Sequence, residues 1–448
     1  MLGDYRITAR RATEIAAEVE GLVASGALAP GAALPPLRDL AVELGVNPNT
    51  VAAAYRLLRE RGVIETAGRR GSRVLPRPAL TPRDYAALEI PVGVRDLADG
   101  NPDVRLLPDP AAALAAAGRG TAPGAGRYGG PEVDPGLLAV ARHSFAGDGL
   151  PADAIGVASG ALDAQERIFQ SWLRPGDAVA VEDPGWGSLF DLLPALGLKP
   201  QPVPVDDDGM TVEGLRAALA AGVRAVVVTV RAQNPTGACL GAERAEELRA
   251  LLAGHPEVLL VEDDHGHGIV DQPYRTLSVA PDGAATVRRW AVVRSVAKSL
   301  GPDLRVAVVA GDRDTVDRVR GRQRLGAGWV SHLLQRTVAT LWEAYEPAPT
   351  AASYRARRDA LITALARHGV PAHGRSGLYV WIPVADETSA VAGLLQRGWA
   401  VSPGGRYRLH TSPGLRLTVS TLDLPDCEPL AADIATVLRR RAGAARGV

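Results

Sequence analysis

Six short apolar runs constrain this chain more than any other feature. They are Ile155–Ala158, Ala178–Glu182, Ala225–Val230, Val258–Glu262, Ala291–Val296 and Val306–Ala310, and helical stretches separate most of them. Runs of four to six residues are strand-sized. A strand that is apolar at consecutive positions must be covered on both faces. Strand and helix in alternation predict an α/β body around a mostly parallel sheet, with its chemistry at the strand ends.

The first 76 residues predict something different. Ile15, Val19, Leu22 and Val23 recur at helical spacing, and Gly26 and Pro30-Gly31 end that helix. Leu37, Leu40, Ala41 and Leu44 form a second stripe ended by Gly45. Asn47-Pro48-Asn49-Thr50 supplies a capping Asn and a first-turn Pro for a third helix, buried through Val51, Ala54, Tyr55 and Leu58. Val63–Thr66 and Ser72–Leu75 read as two short strands around the loop 67–71. Three helices and a hairpin predict a winged helix-turn-helix over residues 1–76. Seven arginines face only Glu60 and Glu65 between positions 56 and 77, and Arg56, Arg69 and Arg70 are among them. The whole chain has a formal net charge of zero, so only such local charge can address the phosphates of double-stranded DNA. Residues 77–96, interrupted by Pro78, Pro82 and Pro91, read as a Pro-rich linker. Residues 97–448 form the body. A break near Glu346-Pro347-Ala348-Pro349 sets off a smaller α+β subdomain from about 347 to 448, with a long helix over Ala352–His368 and strands near Tyr379–Ile382 and Leu415–Val419.

Two cysteines, Cys239 and Cys427, exclude a disulfide framework and a zinc spacing. The polar stretch Met1–Arg11 lacks the apolar core of a signal peptide, and no apolar run approaches a membrane span. The expectation is a soluble cytoplasmic protein.

Of the 50 lysines and arginines, only Lys199 and Lys298 are lysine. A position that keeps lysine under that bias needs an amine and not merely a charge, because arginine stays protonated while a partly buried amine can attack a carbonyl. Lys298 follows an apolar strand, in Ser295-Val296-Ala297-Lys298; Lys199 reads as a loop lysine. The other strand ends carry what a pyridoxal 5′-phosphate site requires. Glu262-Asp263-Asp264 offers an anion for the pyridine nitrogen. Ser295, Arg305 and the strand-to-helix turn Ser159-Gly160-Ala161 offer phosphate donors. Trp186 offers a ring to stack, and Asn234 an amide for the ring oxygen. Taken singly, each also has a structural reading as a cap, a core aromatic or a turn.

These motifs carry a resemblance. Asn234-Pro235-Thr236-Gly237 and Ser295-x-x-Lys298 with Arg305 resemble fold-type-I aminotransferases. Gly26-x-Leu28-x-Pro30-Gly31, Leu34-Pro35-x-x-Arg38-x-Leu40-Ala41 and Thr50-Val51-x-x-Ala54-Tyr55 resemble the GntR-type winged helix-turn-helix. The fusion in this order is similar to the MocR subfamily of bacterial transcription regulators. The resemblance implies that Lys298 is the Schiff-base lysine, and that Asp263, with Asp264 as second choice, pairs with the pyridine nitrogen. It implies that Asn234 bonds the ring oxygen and that Ser295, Arg305, Gly160 and Ala161 hold the phosphate. Tyr128 would reach the phosphate across a homodimer interface, with winged heads exchanged between protomers, and Arg416 would receive an effector carboxylate. Arg38, Asn49, Thr50 and Gly71 match DNA-contacting positions. His265 stands where the family commonly has tyrosine. Ser188 supplies no second arginine, which argues against a dicarboxylate-like or γ-amino acid effector. The implied function is a regulator sensing an amine, an amino acid or the cofactor itself. The alternative is a working aminotransferase with an accessory DNA-binding domain; a scaffold with an inactive pocket is a third reading.

Overall fold

The computed structural model describes residues 7–60, 63–66, 71–75, 83, 90–119 and 127–444. Arg69, Arg70 and most of the stretch read as a linker lie outside the described residues.

The N-terminal helices are α1 (Ala12–Ala24), α2 (Leu37–Leu44) and α3 (Pro48–Glu60). Their apolar stripes meet in one core containing Ile15, Val19, Leu40, Val51, Tyr55 and Leu58. Gly45 closes α2 in the left-handed conformation, φ 64°, where a side chain would be strained. Strands Ile64–Thr66 and Ser72–Val74 pair antiparallel, and residues 31–34 add backbone bonds to the second: Leu34 N–H donates to Ser72 O at 2.8 Å and Val74 N–H to Ala32 O at 2.9 Å.

The body is built on an eight-stranded sheet. Its strand order is Ile155–Ala158, Ala307–Gly311, Arg289–Ser295, Leu259–Asp264, Ala225–Thr229, Ala178–Asp183, Lys199–Asp206, Gly209–Met210. Every interior pairing from Arg289–Ser295 to Lys199–Asp206 is parallel. Ala307–Gly311 runs against both its neighbours. Alternate residues serve opposite cores: Val226, Val228, Leu260 and Val292 pack on one face, Val227, Val261, Val293 and Val309 on the other. That two-residue period is why the runs read as continuously apolar.

Two expectations are corrected. Lys199 opens a strand, the last but one of the sheet, and not a loop. Pro200, Pro202 and Pro204 hid that strand, because alternate prolines read as a breaker. Pro347, taken as part of a break, starts the helix Pro347–Arg367, where a first-turn proline lacks only an N–H that has no helical partner.

The smaller subdomain carries Tyr379–Pro383, Gly414–Thr418 and Ser402–Pro403 in one sheet. The last residues of the stretch read as linker also belong to it, so that stretch ends earlier than expected: Arg95–Asp96 pairs parallel with Trp399–Ala400. No helix among the described residues is long and apolar enough to cross a membrane.

Candidate functional site

Parallel strands deliver their carboxyl ends to one edge of a sheet. Ser159, Lys298, Asp263, Asn234 and Trp186 follow or end five such strands, so the topology brings them to the same edge. The small subdomain adds Arg416, whose Nη1 donates to Asn234 Oδ1 at 3.3 Å.

Lys298 is half-buried and its Nζ donates to the Gly100 carbonyl. Tyr379 hydroxyl donates to the same oxygen at 3.4 Å. Arg416 is 4 % exposed and its Nη2 donates to Ala98 O at 2.5 Å. Its guanidinium lies 4.8 Å from the Tyr379 ring centroid and 4.6 Å from that of Tyr407, and its buried Nε has no hydrogen-bond partner. A Cβ on Gly100 would stand 3.2 Å from Tyr379 Oη and 3.5 Å from Arg416 Nη1, so backbone alone fits comfortably there. Gly100, Tyr379 and Tyr407 were not found by sequence reasoning. The only signal was Gly100-Asn101-Pro102, a turn after the linker.

Three successive carboxylates meet three fates, because a strand turns alternate side chains to opposite faces. Glu262 is fully buried and accepts from Tyr274, Thr276, Leu277 and Ser278 at 2.5–3.0 Å. Asp264 is gripped by Arg231 Nε at 2.8 Å and Arg294 Nε at 2.7 Å. Burial alone would push its carboxyl up, but the two guanidinium charges outweigh it and hold it well below the usual range. That ion network leaves Asp264 no role toward a ring nitrogen. Asp263, facing the other way, is 5 % exposed, and its Oδ1 is buried without a partner. An unsatisfied buried acceptor costs about 1–3 kcal/mol. A protonated pyridine nitrogen is the donor it suits.

His265 Nε2 lies 2.7 Å from Ala232 O. A carbonyl only accepts, so this assigns the ring hydrogen to Nε2. That nitrogen is thereby committed to the backbone, and Nδ1 stands 3.7 Å from Asp263 Oδ2. His267 instead packs at a tilt against Trp342, ring centroids 5.0 Å apart, and burial lowers its pKa well below the usual histidine value.

Gly160 has φ 97°, and a Cβ there would fall 2.4 Å from Arg305 Nη2. Arg305 itself is left-handed, φ 48°, and donates from Nη2 to Ser159 O at 3.2 Å. Gly160 caps the helix Ala161–Trp172, whose first N–H groups have no helical acceptors. Ser295 is buried, and its Oγ accepts from Ala297 N–H at 3.3 Å. Guanidinium, open amides and hydroxyl together suit a phosphate.

Trp186 is half-buried and caps the helix Gly187–Ala195. Gln233 ties its loop to that of Asn234: Nε2 donates to Pro184 O at 2.8 Å, and Oε1 accepts from Thr236 Oγ1 at 2.6 Å. Glu182 beside them is fully buried, and that burial pushes its pKa up to about 7. Tyr128 is 94 % exposed, with its ring edge-on to Trp329 at 5.5 Å. No described contact brings it to Lys298 in the single chain.

On the DNA-binding side, Asn47 Oδ1 accepts from Asn49 N–H at 2.9 Å, which caps α3. Arg38, Asn47, Asn49 and Arg56 are exposed and Thr50 is half-buried. Gly71 has φ 78° at the start of the second wing strand.

A winged reader followed by an α/β body with a lysine-centred cluster at its strand ends defines a class: DNA-binding regulators carrying an aminotransferase-like body. Residues 11–74 match the bacterial regulatory proteins of the gntR family, and residues 93–434 match the class I and II aminotransferases. The chain belongs to the MocR subfamily of GntR-type transcription regulators. It is 40% identical over 441 residues to the vitamin B6 salvage pathway transcriptional repressor PtsJ of Salmonella typhimurium, covering 97% of this chain and 100% of the relative. It is 28% identical over 429 residues to the regulator TauR of Rhodobacter capsulatus, covering 86% and 87%. The fold is similar to that of LysN, an α-aminoadipate aminotransferase of Thermus thermophilus, with TM-score 0.70 at 20% identity, covering 79% of this chain and 94% of that one. A kynurenine aminotransferase of Pyrococcus horikoshii gives TM-score 0.69 at 21% identity, covering 78% and 91%. The cofactor of such a body is pyridoxal 5′-phosphate. The unpartnered Asp263 oxygen and the cradle over Gly160 fit it.

Proposed function

We propose that this regulator binds operator DNA through α3 and the wing, and that occupancy of the Lys298 pocket sets its affinity for that DNA. One observation carries the reading. The segment leading directly from the linker into the body is bonded to the pocket residues themselves: Gly100 O to Lys298, Ala98 O to Arg416. When bound, the cofactor supplies an aldehyde that condenses with a primary amine. Lys298 provides that amine, Asp263 holds the ring proton, and Arg305 with Gly160 and Ser295 anchors the phosphate. Arg416 receives a carboxylate by exchanging its bond to Ala98. A ligand that competes for Lys298 or Arg416 therefore acts on the chain that leads to the DNA reader. Such coupling requires the ligand to bind two conformations differently.

The effector would be the cofactor itself, or an amine or amino acid that competes with Lys298. The similarity to a protein named for vitamin B6 salvage favours the cofactor. The regulator acts in the cytoplasm as a homodimer, with exchanged heads and with Tyr128 serving the partner's phosphate. The test is operator binding by the full chain with and without pyridoxal phosphate and a panel of amines. Identical affinity and footprint throughout discards the coupling. The retained set Lys298, Asp263 and Arg416 also sustains the second reading, an aminotransferase; rapid turnover without ligand-dependent DNA binding would favour it.

A further inference from the structure

We propose that a cleft at the opposite edge of the large sheet binds a small anion carrying two or more phosphate groups. The cleft is about 820 Å³ and is lined by Trp172, Arg174, Asp177, Arg224, Arg289 and Arg318, among others. Asp177, Arg224 and Arg289 precede or open parallel strands, so they collect where the strands begin, away from Lys298.

The arginines are arranged to present donors. The guanidinium carbons of Arg289 and Arg318 each lie 4.2 Å from the Trp172 ring centroid. The indole is fixed in turn: its Nε1 donates to the buried Thr315 Oγ1 at 3.1 Å. A guanidinium stacked on a ring keeps its in-plane N–H groups free at the edge. Arg174 and Arg224 pair with no acid among the described residues.

The surrounding acids do not cancel this charge. Asp177, the lining carboxylate, has Oδ2 turned to the backbone N–H of Arg174 at 2.8 Å. Asp314 meets Arg318 at 3.0 Å, with both side chains about half exposed or more. Glu257 lies 3.9 Å from Arg289 but 2.5 Å from Arg288. Solvated pairs of this kind bind weakly.

Planar guanidinium forks match the paired oxygens of phosphate. Four forks around one cleft suit an ion whose charge is spread over several phosphates, and the volume is that of a small-molecule site. The donors converge on a cleft and do not run as a stripe, which is what a duplex backbone would need.

The test is calorimetric titration of the full, cofactor-loaded protein with inorganic pyrophosphate and with ATP at near-physiological salt. Saturable binding is expected, weakened about tenfold or more by Arg174→Ala/Arg224→Ala, which leaves the Trp172 stack intact. Lys298→Ala, re-supplied with cofactor, should bind pyrophosphate as the parent does. The proposal is overturned by absent saturation, by binding that survives the double variant, by binding lost in Arg305→Ala, or by duplex DNA of unrelated sequence proving the tighter ligand with the same arginine dependence.

Discussion

The DNA reader and the strand-end site of the body use charge in opposite ways. The reader keeps its arginines in water: Arg38, Arg56 and Arg73 are exposed around a core with almost no buried polar side chain. Behind its strand-end site the body instead encloses some: Arg294 is fully buried, bonded to Asp264, Asp148 and Ser144. Exposed charge acts at long range on any polyanion, while buried charge holds neighbouring groups in one geometry. The first suits a surface that reads DNA, the second a pocket that must hold Asp263 and Lys298 in register.

The largest expected effect tests the pocket. Lys298→Ala should abolish the borohydride-fixable adduct and shift the absorbance of cofactor-loaded protein to that of the free aldehyde, with far-UV circular dichroism unchanged. A retained adduct would reassign the amine. Next comes the buried network. Arg294→Leu leaves Asp264 and Asp148 short of a partner in the interior, and should cost the body about 3–5 kcal/mol in urea unfolding. A cost below about 1 kcal/mol would mean the network is not what holds the strand ends.

Glu182 adds a pH dependence. Burial, with the charge of Asp263 contributing, raises its pKa to about 7, so the folded state keeps a proton that the unfolded chain releases above its ordinary value of 4.5. Native stability therefore falls as pH rises through that interval. Glu182→Gln should gain on the parent between about pH 5 and about pH 8, by at most about 3 kcal/mol. Equal urea midpoints at both pH values would contradict the burial argument.

On the reader, Asn47→Ala should cost about 1 kcal/mol through loss of the α3 cap, seen as earlier thermal unfolding. Arg56→Ala should flatten the salt dependence of operator binding by about 0.9 in log–log slope, the amount for one phosphate contact. An unchanged slope would place Arg56 off the backbone.

The same contrast explains what could be read in advance. The reader is local: its stripes, the Asn47 cap and the Gly45 stop act within a few residues, and Tyr55 bonds Pro35 only 20 positions away. The apolar strands were equally legible. The pocket is assembled from afar: Lys298 meets Gly100 across 198 residues, and Arg416 meets Ala98 across 318. Lysine scarcity and strand-end motifs named many of its members, but periodicity carries no information about such pairings. Asp263 and Asp264 could not be separated from spacing alone; the choice follows from which face of the strand the arginines occupy. Arg231 and Arg294 were missed, although an arginine set inside Val292-Val293-Arg294 was itself a sign of a buried partner.

Lys199–Asp206 has a consequence for how molecules of this protein meet. Lys199 N–H points to the neighbouring strand, donating to Asp177 O at 2.9 Å, so the ring nitrogens of Pro200, Pro202 and Pro204 line the outer side. Pro204 O already accepts from Thr211 N–H at 2.9 Å, and beside Pro200 and Pro202 the flank has no hydrogen to donate, so a stray β-segment finds little to zip onto. Self-association is steered away from open-ended fibres, leaving helical and loop faces for any finite assembly.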